Sequence, residues 1–92
     1  MTYRLQATSQ FKRDCKRMKR RGLDLANLTA VIELPRNGEE LPSELRDHGL
    51  VGDFSCFREC HIQPDWLLIY YIQQERLVLV CARTGSHSDL FG

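Results

Sequence analysis

Three histidines, His48, His61 and His87, are the chain's whole supply of imidazole, the side chain best suited to moving protons near neutral pH. Each has polar neighbours: Asp47 beside His48, Pro64-Asp65 just beyond His61, and Ser86 and Ser88 around His87. One such histidine is ordinarily a surface group or a hydrogen-bonded structural one. Three at the ends of elements that close onto one sheet face form a constellation. Arg83-Thr84-Gly85-Ser86 can be the polar exit of a strand, or can set a guanidinium and backbone N–H groups against a phosphate. Trp66 reads as core packing at a strand start or as a platform for stacking a base. Phe91 reads as a plug for the C-terminus or as a second aromatic contact.

Four cysteines raise the question of metal or disulfide. Cys56-x-x-x-Cys60 lacks the paired C-x-x-C spacing of a zinc ribbon, and Cys15 and Cys81 fall in helical and strand patterns as small apolar fillers. The expectation is free, buried thiols and no metal or other cofactor.

Several elements must position these groups. Tyr3–Ala7 alternates as a short strand. Ser9 offers a cap for a helix carrying Phe11, Cys15 and Met18 on one face, with Gly22 as its stop. Asp24 can cap a second helix with an apolar stripe of Leu25, Leu28, Val31, Ile32 and Leu34, closed by Pro35. Residues 36–53 are punctuated by Gly38, Pro42, Gly49 and Gly52, a loop long enough to be functional or to hold a short helical turn. Strand-like runs follow at Phe54–Ile62, Trp66–Ile72 and Arg76–Arg83, separated by hairpin-length connections. The order is β-α-α-β-β-β, an α+β fold with a helical hairpin on one face of a mainly antiparallel sheet. The other face is expected to be concave and available.

Ninety-two residues are enough for one domain, 1–92, with 42% hydrophobic and 27% charged residues. No apolar run approaches the roughly 20 residues of a membrane span, and the N-terminus lacks a signal-peptide layout, so a cytoplasmic protein is expected. The formal charge of +1 conceals an asymmetry. Residues 1–36 carry nine Lys/Arg against three acids, and residues 37–92 carry four against nine. The first helix concentrates Lys12, Arg13, Lys16, Arg17, Lys19 and Arg20, which is either a solvated face or a surface for the backbone of structured RNA.

Three stretches carry a resemblance to a known family: Asp47-His48-x-Leu50-x-Gly52, Arg58-Glu59-Cys60-His61-Ile62-x-Pro64-Asp65-Trp66-x-Leu68-Ile69-Tyr70, and Arg83-Thr84-Gly85-Ser86-His87-Ser88-x-Leu90-Phe91. Together they resemble the YafQ branch of the RelE/ParE toxin superfamily over nearly the whole length, the N-terminal half in layout alone. The resemblance implies a RelE-like α/β ribonuclease fold and a ribosome-dependent endoribonuclease, the toxin of a toxin–antitoxin pair. It implies acid/base roles for His48, His61 and His87, a catalytic aspartate at Asp65, RNA-contacting aromatics at Trp66 and Phe91, and a phosphate-side arginine at Arg83. It implies as partners a DinJ-like ribbon-helix-helix antitoxin, a ribosome with mRNA in the A site, and operator DNA through the antitoxin complex alone.

The residues suit that chemistry. Metal-free RNA cleavage needs a base for the 2′-OH proton, an acid for the 5′-oxygen and positive charge at the phosphorane. The nucleophile belongs to the substrate, so no Ser or Cys is required. His87 is favoured as acid, and His48 or His61, oriented by Asp65, as base. A gyrase-binding ParE-like toxin or an idle RNA-binding module on the same fold ranks second, since neither needs a histidine constellation. A histidine/cysteine metalloenzyme ranks last for want of ligand spacing.

Overall fold

The computed structural model describes residues 2–52 and 55–92. The chain opens with β1 (Arg4–Ala7) and passes through Thr8 into α1 (Ser9–Arg20). The Thr8 hydroxyl, not that of Ser9, caps the helix by accepting the Phe11 N–H. A cap of this kind contributes about 1 kcal/mol. Gly22 takes φ +88°, a left-handed conformation in which it turns the chain after α1, and Asp24 caps α2 (Leu25–Arg36) as expected. Pro35 sits inside the last turn of α2 instead of closing it, and the helix runs on to Arg36.

The long connection holds a 3₁₀ turn at Ser43–Leu45 and a two-residue strand, β2 (His48–Gly49). Three longer strands complete the sheet: β3 (Arg58–Gln63), β4 (Trp66–Gln73) and β5 (Val78–Gly85). The expected strand from Phe54 begins outside the described residues, and Ser55 and Cys56 form a turn before β3. Arg76 and Leu77 belong to the β4–β5 turn, where Leu77 takes φ +53°, so β5 starts two residues later than its apolar run implied. A short helix, α3 (His87–Phe91), replaces the expected polar tail.

The strands order as β1-β5-β4-β3-β2, antiparallel except for β1 against β5. The core lies between the helices and one sheet face. Phe11 and Met18 of α1 and Leu28, Val31 and Ile32 of α2 join Cys60, Leu68, Tyr70, Leu79 and Cys81. Strand alternation sends Glu59 and His61 to the opposite face, since Cys60 and Ile62 between and beside them belong to the core. That face is not bare at its centre: Leu67, Ile69 and Val80 are buried. The accessible part lies toward β3, β2 and α3.

Candidate active site

β3 and β4 pair His61 with Leu67 and Glu59 with Ile69, and β2 pairs His48 with Glu59. One carboxylate is thereby set between two imidazoles. Glu59 Oε1 lies 3.4 Å from His61 Nε2 and 3.7 Å from His48 Nε2, with its side chain only 8% exposed. These are ion-pair separations, longer than good hydrogen bonds. His48 Nδ1 stands 2.7 Å from the Arg46 carbonyl oxygen. A carbonyl only accepts, so Nδ1 carries the proton and Nε2 faces Glu59.

The carbonyl that fixes His48 comes from a residue in an unusual conformation. Arg46 closes the 3₁₀ turn at φ +52°, the left-handed region, which costs a non-glycine residue about 1–3 kcal/mol. The next residue, Asp47, anchors the segment on the core side. Its carboxylate accepts the Tyr70 hydroxyl at 2.7 Å and Arg58 Nη2 at 3.0 Å. Burial, followed by this carboxylate, pushes the Tyr70 hydroxyl far above its ordinary value, so it stays a donor.

From the other flank α3 brings His87. Ser86 caps this helix by accepting the Asp89 N–H, while Asp89 accepts the Ser86 N–H in return. Arg21, just past α1, clamps the same Asp89 with two bonds of 2.6 and 2.9 Å. Gly85 is required here, because at its φ of +159° a Cβ would stand 2.9 Å from Asp89 Cβ. Asp65, at the β3–β4 turn, accepts both the His87 backbone N–H at 2.9 Å and its Nδ1–H at 2.7 Å. These bonds hold the Asp65 carboxyl below its ordinary value, and they engage Nδ1 of His87 rather than Nε2.

The rings of His61 and His87 stand 5.7 Å apart between centroids. Ligating atoms of Glu59, His61 and His87 all fall within 4.8 Å of one another, a set that can hold a metal ion. Ligand spacing along the chain did not disclose it, because two members come from β3 and the third from α3. A cleft of about 500 Å³ opens beside the group, lined by Glu44, Arg46, His61, Gln63, Pro64 and His87. A second cleft of about 560 Å³, lined by Tyr3, Asp47, Arg58, Tyr70 and also by Arg46, which borders both clefts, lies against the core side and contains no imidazole.

The sequence expectations divide against this geometry. His48, His61, Asp65 and His87 are gathered at one place. Asp65, however, orients His87 and not a base histidine; the partner of His48 and His61 is Glu59, which sequence reasoning passed over. Its placement two residues before His61, on the same strand face, was the available signal. Trp66 is corrected from a stacking platform to a core residue. It is 1% exposed, and its indole N–H donates to Thr84 Oγ1 at 2.9 Å. Phe91, on α3, is 48% exposed and is not a buried plug for the C-terminus. Arg83 is tied to Asp14, with Nε donating to Oδ2 at 2.8 Å.

Asp14 is the second residue that sequence reasoning missed. It is buried on α1 with Phe11 and Met18, and Cys15 beside it packs half-buried against the core as expected. Burial pushes its carboxyl upward, but hydrogen bonds from Arg83, Gln10 and the Thr84 N–H outweigh that and hold it below the ordinary value. Arg17 also pairs with it at 2.7 Å, which removes Arg17 from the solvated basic set. Lys12, Arg13, Lys16, Lys19 and Arg20 remain exposed. The cysteines are free. Burial raises the Cys60 and Cys81 thiols to about 12, whereas Cys56 is exposed, against the expectation that all would be buried.

Comparison with known proteins agrees with the geometry. The chain is 34% identical over 89 residues to the mRNA interferase toxin YafQ of Escherichia coli K12, covering 96% of this chain and 95% of that one. The metal-bound toxin from Helicobacter pylori superposes with a TM-score of 0.92 at 36% identity, over 98% of this chain and all of that one. The toxin in the E. coli DinJ–YafQ toxin–antitoxin complex superposes with a TM-score of 0.90 at 32% identity over the full length of both. Residues 3–92 match the family described as the bacterial toxin of type II toxin–antitoxin system, YafQ, and the chain belongs to that family.

Proposed function

We propose that this toxin, an mRNA interferase, cuts translated mRNA in the ribosomal A site by metal-independent acid/base catalysis. The observation that carries the reading is the convergence of Glu59, His61 and His87 at one open cleft, within 4.8 Å. The Glu59–His61 pair takes the proton of the substrate 2′-OH, with His48 adding charge beside the carboxylate. The 2′-oxygen attacks phosphorus, the P–O5′ bond breaks, and His87 Nε2 delivers a proton to the 5′-oxygen. The products are a 2′,3′-cyclic phosphate and a 5′-OH. Preorganised donors stabilise the phosphorane. Phe91 offers its exposed ring to a base, while Arg83 is held in its pair with Asp14.

A toxin of a type II system works against an antitoxin, and the E. coli YafQ toxin is complexed with DinJ. A DinJ-like ribbon-helix-helix antitoxin suits this chain, with operator DNA bound through the complex. Work on ribosomes places the protein in the cytoplasm, and no described helix is long and apolar enough to cross a membrane.

Primer extension on translated and untranslated versions of one transcript tests the reading. Cuts confined to the translated transcript are expected, and cuts in neither would refute it. Cleavage should persist in EDTA with magnesium restored for ribosome integrity. Added zinc should inhibit, because an ion on Glu59, His61 and His87 would occupy the lone pairs that proton transfer needs. Zinc-dependent recovery of an EDTA-inactivated toxin would contradict the proposal.

A further inference from the structure

We infer that Arg46 is a substrate-contacting residue of this nuclease: its carbonyl sets the His48 ring while its guanidinium meets a phosphate at the cleft. The inference rests on the reading of the cleft as the RNA-cleaving site. Four observations carry it. Arg46 lines the same cleft as His61 and His87. Its carbonyl oxygen accepts from His48 Nδ1 at 2.7 Å. Its backbone keeps φ at +52°, where glycine or asparagine is the ordinary choice. Its guanidinium makes no hydrogen bond or ion pair among the described residues, whereas Arg17, Arg21, Arg36, Arg58 and Arg83 each have a carboxylate partner.

Glycine would provide the same carbonyl and the same turn without strain. An arginine held in a left-handed conformation therefore points to use of its side chain. The neighbours define that use. The cleft offers two imidazoles and, in Glu44, one further carboxylate. The paired arginines have their charge answered internally. Arg46 is the cation lining the His61–His87 cleft that is left to answer a phosphodiester through its charge.

The test separates stability from chemistry. Arg46→Gly keeps the carbonyl and relieves the backbone, so its melting temperature should equal or exceed that of the wild type. Single-turnover cleavage of mRNA held in the ribosomal A site should fall about tenfold or more, with a flatter dependence on salt. Imidazole ¹⁵N spectra should show His48 still protonated at Nδ1. Arg46→Lys, which restores the charge in the strained turn, should recover most of the rate. Arg46→Gly cutting as fast as wild type across a salt titration would overturn the inference, and so would a lost rate that Arg46→Lys fails to recover. If the wild type itself makes no A-site cut, the nuclease reading falls first, a result distinct from either of these.

Discussion

The two flanks of the cleft hold their histidines by opposite means. On the β2–β3 flank the organising carboxylate, Glu59, is nearly buried at 8% side-chain exposure, and His61 beside it is 17% exposed. On the α3 flank Asp65 is 68% exposed and His87 is 54% exposed. One flank is a rigid sheet whose acid has been withdrawn from water. The other is a five-residue helix held by a solvated aspartate, a capping box and the Arg21–Asp89 clamp. Glu59 thus stands beside two imidazoles largely out of water, whereas the Asp65–His87 pair stands in it, a contrast that fits the proposed base on the first flank and acid on the second.

Removing either proton-handling group tests that division most severely. His87→Ala should lower the cleavage rate at saturating ribosomes by roughly 10²–10⁴-fold without unfolding the protein, because its side chain lies outside the core. Glu59→Gln, nearly isosteric, should cost about 10²-fold or more in the same assay. Equal toxicity of either variant to wild type would dissolve the comparison.

A smaller effect is expected from the support of the acid than from the acid itself. Asp65→Asn keeps an oxygen able to accept from His87, so the loss should be roughly tenfold, the scale of weakening one charge-assisted hydrogen bond. A loss as large as that of His87→Ala would mean that Asp65 does more than orient the ring.

The basic helix lies outside both flanks and should act on binding alone. Changing Lys12, Lys16 and Lys19 together to Gln preserves helix propensity. Ribosome affinity should fall several-fold at moderate salt while the rate at saturation stays near wild type. Unchanged affinity across a salt titration would make this face merely solvated.

The smallest effect concerns acid stability of the α3 flank. Arg21 holds the Asp89 carboxyl well below its ordinary value, with the Ser86 bonds adding to it. A depressed carboxylate contributes stability that is complete above the unfolded pKa of about 3.9 and lost as pH falls through the folded value. The melting temperature of Asp89→Asn should therefore lie below wild type at pH 6, and the gap should narrow steadily as pH falls below about 3.9. A gap independent of pH would assign the loss to the cap and not to the charge.

The regular elements were readable where a single face decides them. The Phe11/Met18 spacing, the α2 stripe and the Trp66–Ile72 run each have a local period that burial reinforces. A boundary failed where a single backbone angle decides it, at Leu77, whose turn conformation delays β5. Among candidate site residues the histidines were legible because imidazole is scarce in the chain, and Asp65 through the motif resemblance. Glu59 and Asp14 were passed over because acids are common; Glu59 was marked only by its position two residues before His61, and Asp14 by nothing local.

By itself the sequence determined which reactive groups exist, the apolar periods that build the helices and strands, and the family to which their spacing points. Tertiary structure decided which groups meet. Glu59 meets His48 through the β2–β3 register, and His87 meets Asp65 because α3 folds back over the β3–β4 turn. It also withdrew Trp66 into the core and Asp14 beneath Arg83. The reason is physical: proton transfer and charge pairing act over a few ångströms, and the chain brings His48 to Glu59, and His87 to Asp65 22 positions away, only when the sheet and α3 close.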